Sequence, residues 1–74
     1  MKIKVRLFAT LREHRGKEVL VDVEESATPL DVLLVLQIAS GDVAILLING
    51  RDGALDAPLV PGDVLSVFPP VGGG

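Results

Sequence analysis

Charged and aliphatic residues alternate from Lys2 to Leu7, with Ile3, Val5 and Leu7 at one parity and Lys2, Lys4 and Arg6 at the other. A period of two predicts a β-strand with one apolar face and one cationic face. The stretch "KEVLVDVE" repeats the pattern with Val21 and Val23 set against Asp22 and Glu24. A longer turn containing Gly16 separates the two segments, so they are read as an antiparallel hairpin. A loop centred near Glu13 would place Lys2 opposite Glu24 and Lys4 opposite Asp22. Each such cross-strand pair contributes about 0.2–1 kcal/mol and helps to set the register.

The period then changes. Thr28 has the character of an N-cap, Pro29 suits the first helical position, and Asp31 falls in the first turn, where the helix dipole favours an acid. The helix is predicted from Pro29 to Ala39, stopping near Ser40-Gly41, with Leu30, Leu33, Leu34 and Ile38 as its buried face. "VAILLI" follows as a strand ending in the turn signal Asn49-Gly50. Asp52-Gly53 and Pro61-Gly62 punctuate a loop that has room for a short strand, and "DVLSVF" is the last strand before Pro69-Pro70. Both parities of "VAILLI" are apolar: Val43, Ile45 and Leu47 could face the helix, leaving Ala44, Leu46 and Ile48 for the other side. That second side calls either for cover from the Gly50-to-Pro61 segment or the sheet's own curvature, or for a partner. The pattern predicts an α+β domain, one main helix across a mixed sheet of four or five strands, over residues 1–68. Residues 69–74 form an extended tail.

Composition sharpens this. A chain of 74 residues supports one domain, and 49% hydrophobic residues with only Phe8 and Phe68 aromatic imply an aliphatic core. There is no cysteine, hence no disulfide, no thiolate and no cysteine metal site. That suits a reducing compartment. The start of the chain alternates charge with apolar residues, unlike a signal peptide, and "VAILLI" is too short to span a bilayer, so a cytoplasmic, membrane-free protein is expected. Six of the seven cations precede Glu18, against Glu13 alone, whereas from Glu18 onward nine acids stand against Arg51. Strand alternation accounts for that asymmetry as a self-neutralised face. With no aromatic residues interleaved for base stacking, no nucleic-acid partner is expected.

Reactive side chains are scarce. His14 sits among charged residues in "LREHRG", and Ser26, Ser40 and Ser66 have neither a base nearby in sequence nor a nucleophile-elbow context. The acids are dispersed singly, apart from Glu24-Glu25. The remaining distinctive group is the α-carboxylate of Gly74. Pro69-Pro70 favours a stiff, extended start to the tail, and Gly72, Gly73 and Gly74 keep its distal half thin. At ~3.3 Å per residue the arm reaches about 20 Å, enough to thread a cleft that rejects any Cβ.

The succession "FATLRE", "TPLDVL", "LING", "PGDVLSVFPPV" and a terminal Gly-Gly resembles, over the whole chain, the molybdopterin-synthase small subunit. That family belongs to the ubiquitin-like β-grasp sulfur carriers, which also include the thiamine-pathway carrier. The resemblance implies a β-grasp roll with the first and last strands parallel. It implies that the Gly74 carboxylate is adenylated by an ATP-dependent, E1-like enzyme and converted to a thiocarboxylate, the sulfur donor within a larger partner subunit. No cofactor would be bound, since the activating enzyme consumes the ATP. The chain would not be catalytic alone but the sulfur-donating subunit of a sulfurtransferase complex, which accounts for its bare inventory of reactive groups.

Carried over by position, Phe68, Pro69, Pro70 and Val71 match the segment that leaves the body and packs at the mouth of the partner's site, leading to Gly72, Gly73 and Gly74. Arg12 matches an arginine near the activating-enzyme contact. Gly72 departs from the family, which often has a side chain there, and the short Ser40-Gly41-Asp42 connection suggests a compact member. Other fates share the same terminus: a thiamine-pathway carrier, or a ubiquitin-like modifier joined to lysine amines through Gly74. A plain interaction module would be indifferent to trimming Gly73 and Gly74. "FPPV" before the glycines favours the pterin pathway.

Overall fold

The computed structural model describes residues 1–70. In chain order it has β1 (Lys2–Leu7), a 3-10 turn (Ala9–Arg12), β2 (Glu18–Asp22), α1 (Pro29–Val35), a second 3-10 turn (Ser40–Asp42), β3 (Ile45–Ile48), β4 (Arg51–Asp52) and β5 (Val64–Phe68). The strands form one mixed sheet in the order β2-β1-β5-β3-β4. Its two middle strands, β1 and β5, are parallel, and all other neighbours are antiparallel.

The alternation of β1 is borne out: Ile3, Val5 and Leu7 are fully buried and Lys2, Lys4 and Arg6 are exposed. Leu65 and Val67 of β5 continue the buried face, and Val32 and Leu33 of α1 close over it. No polar or charged residue is buried among the described residues. At about 25 cal/mol for each Å² of apolar surface removed from water, this aliphatic layer is the main term holding so small a domain together.

The hairpin register differs from the sequence expectation by two residues. Lys2 faces Asp22, Lys4 faces Leu20 and Arg6 faces Glu18. The turn is tighter at its closing end than a loop centred on Glu13: the Leu7 amide donates to the Lys17 carbonyl at 2.9 Å, and Gly16 N–H closes on the Arg12 carbonyl. A shift of two preserves every side chain's face, so the core is unaffected and only the charge partners change. Glu18 becomes the shared acid, 3.8 Å from Lys4 and 4.0 Å from Arg6. These pairs are about half exposed and contribute roughly 0–1 kcal/mol each.

Helix α1 starts where expected. Thr28 caps the Asp31 amide while the Asp31 carboxylate accepts from the Thr28 amide, a reciprocal capping box with Pro29 in the first turn. It ends earlier, at Val35 rather than Ala39. Gln37 adopts φ +59°, the Ile38 amide returns to the Leu33 carbonyl at 2.9 Å, and the Gln37 amide returns to Leu34 at 3.1 Å. This is a Schellman end, with Gln where glycine is usual and the buried pair Leu33 and Ile38 as its apolar contact. The buried face is correspondingly Pro29, Val32 and Leu33, with Ile38 entering the core from beyond the helix. Leu30 and Leu34, expected inside, lie outward at 38% and 74% exposure.

Strand β3 has the opposite parity from the one proposed above. Leu46 pairs with Val67 and Ile48 with Leu65, and ladder partners share a face, so Leu46 is buried while Ile45 and Leu47 lie on the outer face opposite Phe68 and Ser66. The Gly50-to-Pro61 segment does not cover that outer face. It crosses on the helix side, where Leu59 enters the core, its amide bonded to the Ala27 carbonyl at 2.8 Å.

The Asn49-Gly50 turn has φ of +53° and +81°, as a two-residue hairpin between Ile48 and Arg51 requires. Asn49 also bonds beyond its own hairpin: its amide nitrogen donates to the Asp63 carboxylate at 2.8 Å, and its side-chain oxygen accepts from the Val64 amide at 2.9 Å. Asp63 in turn accepts from the Val60 amide. "LING" and "PGDV" are thus two halves of one clasp that starts β5.

Two substitutions test what starts and ends α1. Gln37→Gly relieves a left-handed backbone that costs a side-chain-bearing residue about 1–2 kcal/mol, and is expected to raise the unfolding midpoint. Thr28→Ala removes the cap and is expected to cost about 1 kcal/mol, or roughly 4–8 °C in a domain of this size. Thermal unfolding followed by circular dichroism reads both.

Candidate functional site

The predicted site is the tail, and the described residues reach its root. Phe68 is the last residue of β5, Pro69 follows half-buried, and Pro70 is exposed. Val71, Gly72, Gly73 and Gly74 lie outside the described residues.

What holds the root in place follows from the parallel pairing of the middle strands. Leu7 is the register partner of Val67, both facing inward, so one step further Phe8 and Phe68 emerge side by side on the outer face. Their rings stack with centroids 4.1 Å apart and planes 9° from parallel. Such a pair contributes about 0.5–1.5 kcal/mol beyond the area it buries. Phe8 is extended, and Ala9 then turns with φ +54° into the 3-10 turn that carries Arg12 back over it. The Arg12 guanidinium carbon stands 5.3 Å from the centre of the Phe8 ring, and its Nε donates to the Leu7 carbonyl at 2.8 Å. Arg12, an exposed residue, therefore joins the tail root through the aromatic pair. On the other side of β5, the Ala44 amide donates to the Phe68 carbonyl at 2.8 Å, and Ile45, half exposed, is the ladder partner of Phe68. An aromatic and aliphatic surface edged by one arginine thus surrounds the point where the tail departs.

Behind the root, a cleft of about 370 Å³ separates Pro69 and Pro70 from the end of α1. Arg15 lines it and closes its base. Nε donates to the Leu36 carbonyl at 3.1 Å, and the terminal nitrogens donate to Leu11 and Gln37 at 3.3 Å each. The guanidinium so satisfies carbonyls that the left-handed end of α1 leaves over and ties the hairpin turn to the helix. Sequence reasoning missed Arg15, as it missed the Asn49–Asp63 clasp. A cation serving a helix end from 21 residues away has no local signature.

The side chains weighed as reactive groups are scattered. His14 is exposed in the hairpin turn at φ +62°, Ser26 is exposed at φ +71° before α1, Ser40 opens the second 3-10 turn, and Ser66 is on the outer sheet face. None of these four side chains has a hydrogen-bonded partner among the described residues. No group of three or more His, Asp or Glu able to hold a metal occurs among the described residues. Among them, too, no helix is long and apolar enough to cross a membrane.

Comparison with known proteins places this geometry. The ThiS family matches residues 5–74. Small archaeal modifier protein 3 of Haloferax volcanii is 40% identical, with all of both chains covered. Among solved structures, a putative molybdopterin converting factor, subunit 1, from Pyrococcus furiosus superposes with a TM-score of 0.80 at 30% identity over 96% of this chain and 99% of that one. A chain in the complex of subunits 1 and 2 of molybdopterin-converting factor from Helicobacter pylori gives 0.66 at 26% identity with full coverage of both. The parallel middle pair, the single helix across a mixed sheet and the match through the final glycines agree: the chain belongs to the ThiS family of ubiquitin-like β-grasp proteins.

Proposed function

We propose that this protein is a sulfur carrier that acts through Gly74, as the small subunit of a two-subunit molybdopterin-forming enzyme. Residues 1–68 are the body that partners hold, and 69–74 the arm that delivers sulfur. The observation that carries the reading is the fit between a family match running through Gly74 and a tail root clamped by the Phe8–Phe68 stack on a central strand. A body of this kind presents a terminus to another protein's site without itself supplying reactive side chains.

The chemistry requires an activating enzyme. A carboxylate is a poor acyl donor; attack of its oxygen on the α-phosphorus of ATP expels pyrophosphate and leaves an acyl adenylate. Sulfide then displaces AMP to give the thiocarboxylate; a persulfide donor gives an acyl disulfide, which reduction converts to the same product. Phe68, Pro69, Pro70 and Val71 pack at the mouth of the larger subunit, Gly72 and Gly73 thread it, and Arg12 contributes to the activating-enzyme contact. The Helicobacter pylori relative occurs in complex with a second subunit, which supports a partner of that kind. The 40% identity to a protein named as a modifier favours a second reading, in which a lysine amine attacks the same adenylate to form an isopeptide. The two fates diverge only at the nucleophile.

Intact mass spectrometry of protein recovered from its host separates them. The expected result is a species heavier by the exchange of one oxygen for one sulfur, located at Gly74 by fragmentation and abolished by deleting Gly73 and Gly74. Lysine-linked conjugates in place of that species would select the modifier. Unmodified carboxylate after incubation with ATP, the activating enzyme and a sulfur donor would overturn the carrier reading. Phe8→Leu, which removes the stack, is expected to cost about 0.5–1.5 kcal/mol in urea unfolding and to slow thiocarboxylate formation in the folded protein.

A further inference from the structure

The side of α1 that faces away from the sheet is aliphatic where a solvent-facing stripe is ordinarily polar. Leu34 and Val35 are 74% and 58% exposed, and Leu30, one turn before Leu34, is exposed as well. Beside this ridge, between α1 and the segment following β2, lies a groove of about 1000 Å³ to which Val23, Leu34 and Val35 contribute apolar surface. Its other lining is acidic: Asp22, Glu24, Glu25 and Asp31 border it, and no lysine or arginine does. Asp22 is met by the N-terminal ammonium at 3.5 Å and is the register partner of Lys2, and Asp31 is held in the capping box. Glu24 and Glu25 are exposed and form no salt bridge among the described residues.

We propose that this groove is a docking surface for an amphipathic helix of another protein, one with aliphatic anchors on its inner face and lysine or arginine on its flanks. Leu30 and Leu34 stand at the i, i+4 spacing by which helices pack along one another, with Val35 next to them. The carboxylates select a basic flank and disfavour an acidic one. They also argue against a second copy of this chain, because a two-fold pairing through this face would set the same carboxylates against one another. One end of the groove lies beside Met1, and the tail root lies beyond the other end of β1 at Phe8, about 20 Å from Met1 at ~3.3 Å per residue. A helix docked there lies on the helix side of the sheet, whereas Phe8 and Phe68 stack on its outer face. The proposal does not rest on the fate of Gly74.

The test is a titration of the isotope-labelled full chain with a synthetic helical peptide bearing leucine on one face and lysine on the other, followed by amide NMR shifts. Shifts are expected at residues 22–27 and 31–35. Affinity is expected to fall by about tenfold or more in Glu24→Lys/Glu25→Lys and in Leu34→Ser, and to be retained in the control Asp52→Lys/Asp56→Lys. The spectra themselves report whether each exposed-site variant is folded. Three results would overturn the proposal: shifts confined to the outer sheet face, equal loss in the control, or undiminished binding when the peptide's leucines are replaced by serine. A peptide-free dimer whose interface maps to Leu34 and Val35 would likewise overturn it, assigning the face to a second copy.

Discussion

The parallel ladder between β1 and β5 is the constraint on which the rest of this structure depends. It joins residues 4–7 to residues 64–67, close to the largest sequence separation the chain permits, so its loop-closure entropy is offset only once everything between has folded. A parallel pair needs a crossover, and α1 with its capping box supplies it, burying Val32 and Leu33 against the same face that Ile3, Val5, Leu65 and Val67 present. Once β1 and β5 are adjacent, β2 and β3 have one free edge each to pair with, and the five-stranded order follows. Formation of this ladder and of the core are therefore one cooperative event.

The same ladder places the tail. Because β1 and β5 run in the same direction, the residues just past their buried parts, Phe8 and Phe68, come out together and stack. The chain's sole aromatic residues are spent on a single contact at the exit of the tail, rather than in the core. The Asn49–Asp63 clasp fixes the start of β5 and the stack fixes its end. Strand β5 is therefore held along its length.

Charge is distributed by the same geometry. The hairpin carries its cations outward along β1 and around the turn to Arg12 and Arg15, while the acids of Asp22 to Asp31 collect where β2 ends and α1 begins. Two regions of the surface therefore differ chemically: aromatic and basic at the tail root, aliphatic and acidic between α1 and the segment following β2. A net charge of −3 conceals this polarity.

Local rules were legible in the sequence wherever a few neighbouring residues decide the outcome. The alternation of β1, the Thr28 N-cap, the Asn49-Gly50 turn and the end of β5 before Pro69-Pro70 needed only periodicity and backbone chemistry. The motifs pointing to the tail were legible for the same reason. Parity in "VAILLI" was not, because a run apolar on both sides carries no face information, and only pairing with Val67 and Leu65 turned Leu46 and Ile48 inward. The end of α1 was set at Gln37 rather than at Gly41 because burial of Leu33 and Ile38 outweighed glycine's backbone preference. Arg15 on the helix carbonyls, Asn49 on Asp63 and Phe8 on Phe68 join residues far apart in the chain, and contacts of that range exist only once the fold has brought them together.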